Sequence, residues 1–144
     1  MVIVAGYPEE MKSFLKANVG LASRFHFTLS FASYTPNEIE AIAQQMATRE
    51  RLMMSRQAWD LLREEATRLR GLRAGSGTLL DVAGNGRYAR KVVVACKRER
   101  ARRLHRLAPG PQDLEQLVRA DPTVLNVNED DTLRALTESR PAAD

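Results

Sequence analysis

One cysteine, Cys96, stands in 144 residues, which excludes a disulfide framework and any cysteine-built metal cage. Histidine is almost as scarce, and His26, His105 and Cys96 form no spacing of metal ligands. Long apolar runs are missing. The stretch Val92–Cys96 is far short of the roughly 20 residues that cross a bilayer, so no membrane span is expected. No basic leader precedes the apolar Met1–Tyr7, and Pro8-Glu9-Glu10 follows at once. A signal peptide is therefore not expected, and a cytoplasmic location is. Aromatics make up only 6% of the chain.

What is present is a 44% hydrophobic and 28% charged composition, that of a globular protein with a core. The net charge of +4 is unevenly placed. Arg87–Arg106 holds nine Lys/Arg (Arg87, Arg90, Lys91, Lys97, Arg98, Arg100, Arg102, Arg103, Arg106) against Glu99, leaving the remainder at −4. One segment is basic rather than the whole protein.

Val2-Ile3-Val4-Ala5 is an apolar run of the kind buried on both faces of a parallel sheet. Gly6-Tyr7-Pro8 ends it, and Pro8 with Glu9 and Glu10 suits the first turn of a helix. Met11, Phe14 and Leu15 share one face of that helix, which Asn18-Val19-Gly20 stops. Phe25, Phe27, Leu29 and Phe31 alternate with His26, Thr28 and Ser30, the pattern of a second strand. The first 33 residues thus predict strand, helix, strand: one crossover unit of a parallel sheet.

Composition changes at Tyr34. Thr35 as cap, Pro36 at the first position and Glu38 reaching back predict a helix start, and Ile39, Ile42, Ala43 and Met46 supply its stripe. Ser55 is placed to cap a second helix lined by Ala58, Leu62, Ala66 and Leu69. Gly71–Asp81 reads as a flexible loop. Asn85 is placed to cap a long helix to about Leu107, ended by Pro109-Gly110-Pro111. Asp113–Arg119 suggests a short helix, Leu125–Val127 a short strand, and Asn128 with Asp131 the start of a last helix. Residues 34–139 read as a helical domain with at most a short β-pair, and 140–144 as a tail. Trp59 and the methionines are expected in the core.

Two parallel strands and one helix cannot cover both faces of a sheet. Ordering thirty residues costs about 1–2 kcal/mol each in backbone entropy, so the first segment needs cover. Either these strands pack on the helical domain in a compact α+β fold, or the chain is a fragment that opens inside a buried strand.

Four blocks carry a resemblance: Val2–Met11, Asn18–Phe25, Tyr34–Glu38 and Asp81–Arg90 (DVAGNGRYAR). In order and spacing they resemble the CbxX/CfqX-type AAA+ ATPases, and most of all the EccA branch of type VII (ESX) secretion, over about Met1 to Leu107. The resemblance implies an α/β remnant, the fourth and fifth core strands of a AAA+ P-loop domain at Val2–Ala5 and Phe25–Phe31, followed by the α-helical AAA+ lid. No G-x-x-x-x-G-K-[ST] sequence and no apolar run ending in Asp-Glu occurs in these 144 residues. The groups that hold phosphates, magnesium and attacking water in this family are thus missing from the stretch.

The resemblance assigns roles residue by residue. Arg24, in Gly20-Leu21-Ala22-Ser23-Arg24-Phe25, matches the arginine finger that reaches into a neighbouring subunit's ATP site; spacing alone favours a surface arginine before a strand, and the resemblance reverses that reading. Arg87 matches sensor 2, the link between the lid and the γ-phosphate. Cations at a helix N-terminus oppose the helix dipole, an anion there reverses the cost, and Gly84 and Gly86 flanking Asn85 permit close backbone approach. Gly6 and Tyr7 occupy the sensor 1 position, where Tyr7 either orients water or phosphate or simply packs. The family's cofactor is ATP with magnesium, and none is expected on this chain alone. Its partners are other AAA+ protomers in a homo-oligomeric ring, a hexamer in the full-length protein, together with secretion substrates or chaperones.

Other readings stay open: a Rubisco-activase-like remodeller of the same branch, a gene remnant without activity, or a nucleic-acid-binding helical module using residues 87–106. Against the last, no aromatic interleaves Lys97–Arg106, and Val92, Val93, Cys96, Leu104 and Leu107 give the helix an apolar face. A solvated or subunit-facing surface fits that helix better.

Overall fold

The computed structural model describes residues 2–142, in two units, Met1–Ala32 and Ser33–Asp144. In the first, Pro8 opens α1 (Pro8–Ala17) with Glu9 and Glu10 in its first turn and Lys16 in its last, each charge favourable to the helix dipole. Asn18 closes it, its Nδ2 donating to the Phe14 carbonyl at 2.9 Å. Val19 and Gly20 do not end helical structure there, because a single further turn, α2 (Val19–Ala22), follows. No described side chain of this unit is buried.

The strands expected at Val2–Ala5 and Phe25–Phe31 carry no ladder, and the crossover sheet is not formed among the described residues. The reason is geometric. A strand's ladder requires a neighbouring strand, and the described residues provide none for these segments. Phe27 and Phe31 remain 93% and 94% exposed.

The second unit is built from amphipathic helices. Its first, α3 (Pro36–Arg49), starts on a reciprocal cap: Thr35 Oγ1 accepts from Glu38 N–H at 3.2 Å, and Glu38 Oε2 accepts from Thr35 N–H at 2.7 Å. Ser55 caps α4 (Arg56–Gly71), accepting from Ala58 N–H at 3.1 Å. Both starts are where the sequence places them.

Gly71–Asp81 is ordered rather than loose. Strands β1 (Arg73–Ala74) and β2 (Gly77–Thr78) pair antiparallel around Gly75, whose φ of 57° suits a tight turn. Thr78 then caps the single turn α5 (Leu79–Val82), with Asp81 closing a second capping box. Thr78-x-x-Asp81 is the short form of the helix-start signature, and it converts the expected loop into hairpin and turn.

The long helix α6 (Gly86–Leu107) packs on α3 and on the last helix, α8 (Glu129–Ser139), and α4 packs on both of the same neighbours. Between α6 and α8 lie α7 (Pro111–Ala120) and a 3₁₀ turn at Pro122–Leu125. No strand forms at Leu125–Val127; Val127 makes one parallel bridge, donating to the Met53 carbonyl at 2.8 Å and accepting from Ser55 N–H at 3.0 Å. Ile39, Ala43, Leu62, Ala66, Leu69, Tyr88, Val92 and Cys96 form the buried centre. Full burial of each large apolar side chain contributes about 1.5–3 kcal/mol. Trp59, Met46 and Met54 pack against this core, whereas Met53 is exposed, contrary to expectation.

A buried ion pair fastens α8. Asp131, 2% exposed, closes the cap with Asn128 and accepts from Arg103 at 2.9–3.1 Å. Arg103 also donates to the carbonyls of Val124 and Asn126 at 3.1 and 2.8 Å, so one guanidinium holds the turn and the helix together. Beyond α8, Arg140 donates to Glu65 at 3.0 Å, so the expected tail begins with an anchored residue; Ala143 and Asp144 lie outside the described residues. No helix among the described residues is long and apolar enough to cross a membrane.

Candidate phosphate-sensing turn

The residues singled out in the sequence divide between the units. Gly6, Tyr7 and Arg24 belong to the first; Gly84, Asn85, Gly86 and Arg87 form one continuous turn in the second. Tyr7 is exposed, precedes α1 and accepts from Met11 N–H at 2.9 Å. Beside it, Gly6 faces the Met11 side chain, whose sulfur would lie 3.0 Å from an added Cβ. Arg24 is exposed just after α2, its N–H donating to the Leu21 carbonyl at 2.9 Å.

The second set is built from α5 forward. Gly84 N–H donates to the Asp81 carbonyl at 2.9 Å and Asn85 N–H to the Leu80 carbonyl at 3.1 Å, which folds the chain back before α6 begins. Gly84 has φ of 84°, and a Cβ there would stand 3.3 Å from Cβ and 3.4 Å from Cδ of Arg87. Glycine is needed twice over, for the backbone and for the arginine stem lying across it. Gly86 is less constrained, since a Cβ there would meet only Tyr34, at 3.8 Å.

Asn85 does not cap α6 with its side chain. Its Oδ1 accepts from Tyr34 N–H at 3.1 Å, and its Nδ2 donates to Asp81 Oδ1 at 3.1 Å. Its backbone, at φ 51° and ψ −106°, is turned too far to offer the amide to α6. Asp81 is the centre of this network, a role that neither the expected loop nor the Asp81–Arg90 block assigns to it. It accepts from the Ser33 hydroxyl, from Thr78 N–H and from Thr78 Oγ1, the last two at 2.8 Å. Partial burial pushes the Asp81 carboxyl up, but the bonds from Ser33, Thr78 and Asn85 outweigh it and hold it at about 2.

Arg87 emerges from this turn exposed, in the first turn of a helix that has no acid there. Among the described residues it has no ion-pair partner. Most of its basic neighbours are engaged: Lys97 with Glu50, Arg98 with Glu138, Arg102 with Glu99 at 2.6 Å and Arg103 with Asp131. Arg100 donates to the Leu125 carbonyl at 3.1 Å and Lys91 to that of Ser139 at 3.4 Å. The basic stretch is thus largely neutralised by the domain's own acids and carbonyls. A stripe bound this way is a poor track for a phosphate backbone, whereas a guanidinium without an ion-pair partner among the described residues, beside two glycines, suits one compact phosphate.

Residues 35–133 match the AAA lid domain family. The chain is 40% identical, over 81% of its length, to the ESX-1 secretion system protein EccA1 of Mycobacterium leprae (strain TN), of which it covers 20%. It is 40% identical over 74% of its length to EccA1 of Mycolicibacterium smegmatis (strain ATCC 700084 / mc(2)155), covering 18% of that protein. To the ESX-3 secretion system protein EccA3 of the same organism it is 37% identical over 72% of its length, and it covers 18% of that protein. The chain therefore spans about a fifth of the curated relatives it matches. The match over residues 35–133 and these identities show that the chain belongs to the AAA lid domain family and is a relative of the EccA proteins of ESX secretion systems.

Proposed function

We propose that this chain is the lid, with an adjoining piece of the α/β core, of an EccA-type AAA+ ATPase that works as a ring in the cytosol and acts on secretion substrates or chaperones. The observation that carries the proposal is Arg87: a guanidinium with no ion-pair partner among the described residues, in the first turn of α6, laid over Gly84, inside the segment that matches the AAA lid. The Arg87 guanidinium, at the start of α6, would hold the terminal phosphate of ATP. Bound there, ATP with magnesium supplies the phosphoryl group whose transfer drives the ring. The lid's own part is to bind and orient: Arg87 donates charge-assisted hydrogen bonds to phosphate oxygens, and the rigid helix converts that contact into a lid position.

In this reading Arg24 serves the ATP site of a neighbouring protomer, where a planar fixed cation meets charge developing on the transferring phosphoryl group. Gly6 and Tyr7 stand at the sensor 1 position, and the apolar residues of Val2–Ala5 and Phe25–Phe31 find their ladder in the rest of the core. These 144 residues contain no phosphate-binding loop sequence, so alone they are expected to give no ATP turnover above background.

The test is a lid exchange. EccA1 of Mycolicibacterium smegmatis is fitted with residues 33–142 of this chain in place of its matching segment, and ATP hydrolysis is followed with Arg87 intact and as Arg87→Ala. Loss of a charged hydrogen bond of about 1.5–3 kcal/mol predicts roughly a ten- to hundredfold fall in rate. Equal hydrolysis by the two chimeras would remove Arg87 from the mechanism.

A further inference from the structure

The turn that carries Arg87 is held by a side chain. Asn85 occupies φ 51° and ψ −106°, a region that residues other than glycine rarely enter and that persists only where surroundings impose it. Here the surroundings are its own amide group, bonded to Tyr34 N–H on one side and to Asp81 on the other. Asp81 is fixed in turn by Ser33 and Thr78. A glycine would take these dihedrals without strain, so it is the side chain of Asn85 that the site uses. Two residues on, Arg87 N–H donates to the Gly84 carbonyl at 2.9 Å and its stem lies over Gly84. Ser33 and Tyr34 are the first residues of the second unit. The same amide therefore fixes the backbone leading to Arg87 and the chain entering α3.

We infer that Asn85, seated on Asp81, is a positioning residue: it sets the direction of Arg87 and couples anion binding there to the anchoring of the chain at Ser33–Tyr34. The inference rests on the reading of Arg87 as a phosphate ligand. Coupling of this kind is reciprocal, so an anion at Arg87 strengthens the hold on Tyr34, and loss of that hold weakens the anion.

The test uses the whole 144-residue chain, Asn85→Gly and Asp81→Asn, observed by NMR, with inorganic tripolyphosphate as probe. In Asn85→Gly, exchange of the Tyr34 amide is expected to rise roughly three- to tenfold, the effect of one lost hydrogen bond. The Arg87 Nε–H loses order, while the Leu62 and Val92 amides stay protected. Tripolyphosphate shifts the Arg87 signal and slows Tyr34 exchange in the parent chain; in the variant it binds Arg87 more weakly and leaves Tyr34 unchanged. Asp81→Asn gives the same changes in smaller degree and decides the matter should Asn85→Gly not fold. Unchanged Tyr34 exchange and Arg87 order in the variants would overturn the positioning role. Tripolyphosphate bound at Arg87 without effect on Tyr34 would overturn the coupling. No shift at Arg87 in any of the proteins would instead overturn the phosphate reading and the coupling built on it, leaving the positioning role to be decided by the exchange data.

Discussion

Leu62 and Phe27 are both large apolar side chains set in a regular pattern, and the fold treats them in opposite ways. Leu62 is fully buried in α4, in the second unit; Phe27 is 93% exposed, in the first. The difference lies in the backbone rather than in hydropathy. A helix satisfies its own N–H and C=O groups, so α3, α4, α6 and α8 present finished apolar stripes and need only each other. An extended segment has no such closure, and until a neighbouring strand takes up its ladder it has no sheet face to bury.

That contrast predicts a graded set of outcomes. The largest effect is expected at the buried pair. Asp131→Ala leaves Arg103 without its carboxylate at a site where both side chains are nearly inaccessible, and should cost about 3–5 kcal/mol in denaturant unfolding. Leu62→Ala should cost about 2–5 kcal/mol, whereas Phe27→Ala should change stability by no more than about 0.5 kcal/mol. Comparable losses at Leu62 and Phe27 would erase the distinction between the units.

Gly84→Ala comes next. It puts a Cβ at positive φ and against the Arg87 stem, at a cost of about 1–2 kcal/mol. In the lid-exchange chimera the same substitution should lower hydrolysis through the displaced arginine. A chimera with Gly84→Ala that is less stable but fully active would separate the turn from the function.

A smaller effect is expected with pH. The Asp81 carboxyl is depressed from 3.8 to about 2 in the folded chain. Its network is therefore fully stabilising above pH 4 and weakens as pH falls through 2. The Tyr34 amide should lose protection over that window in the parent chain and show no such step in Asp81→Asn. Smallest of all, Cys96 should be silent. Burial pushes its thiol up to about 12, so at pH 8 a thiol reagent should label it only as fast as the second unit opens. Rapid labelling of the native chain would contradict the closed core.

Helix starts were the most legible part of this molecule, because Thr35-x-x-Glu38, Ser55 and Asn128-x-x-Asp131 each complete a cap within one turn of chain. Around Gly75 two glycines obscure the Thr78-x-x-Asp81 cap that orders the segment. Asn85 departs from the expected cap for a different reason: its partners, Tyr34 and Asp81, include one 51 residues away, and local sequence favours the nearer role of cap. Arg103 looks in the sequence like one more cation of a basic surface, yet its partner Asp131, 28 residues further on, pairs with it in a nearly buried site. Local signals survive translation from sequence; pairings over long separations do not. The expected strands fail on the same ground, since alternation marks a segment able to join a sheet and says nothing of who its neighbour is.

Amide hydrogen exchange over the whole 144-residue chain tests the central contrast most directly. The account predicts strong protection across the buried turns of α3, α4, α6 and α8, and near-unprotected rates at 2–6 and 25–31. Protection at Phe27 and Leu29 equal to that at Val92 would contradict it.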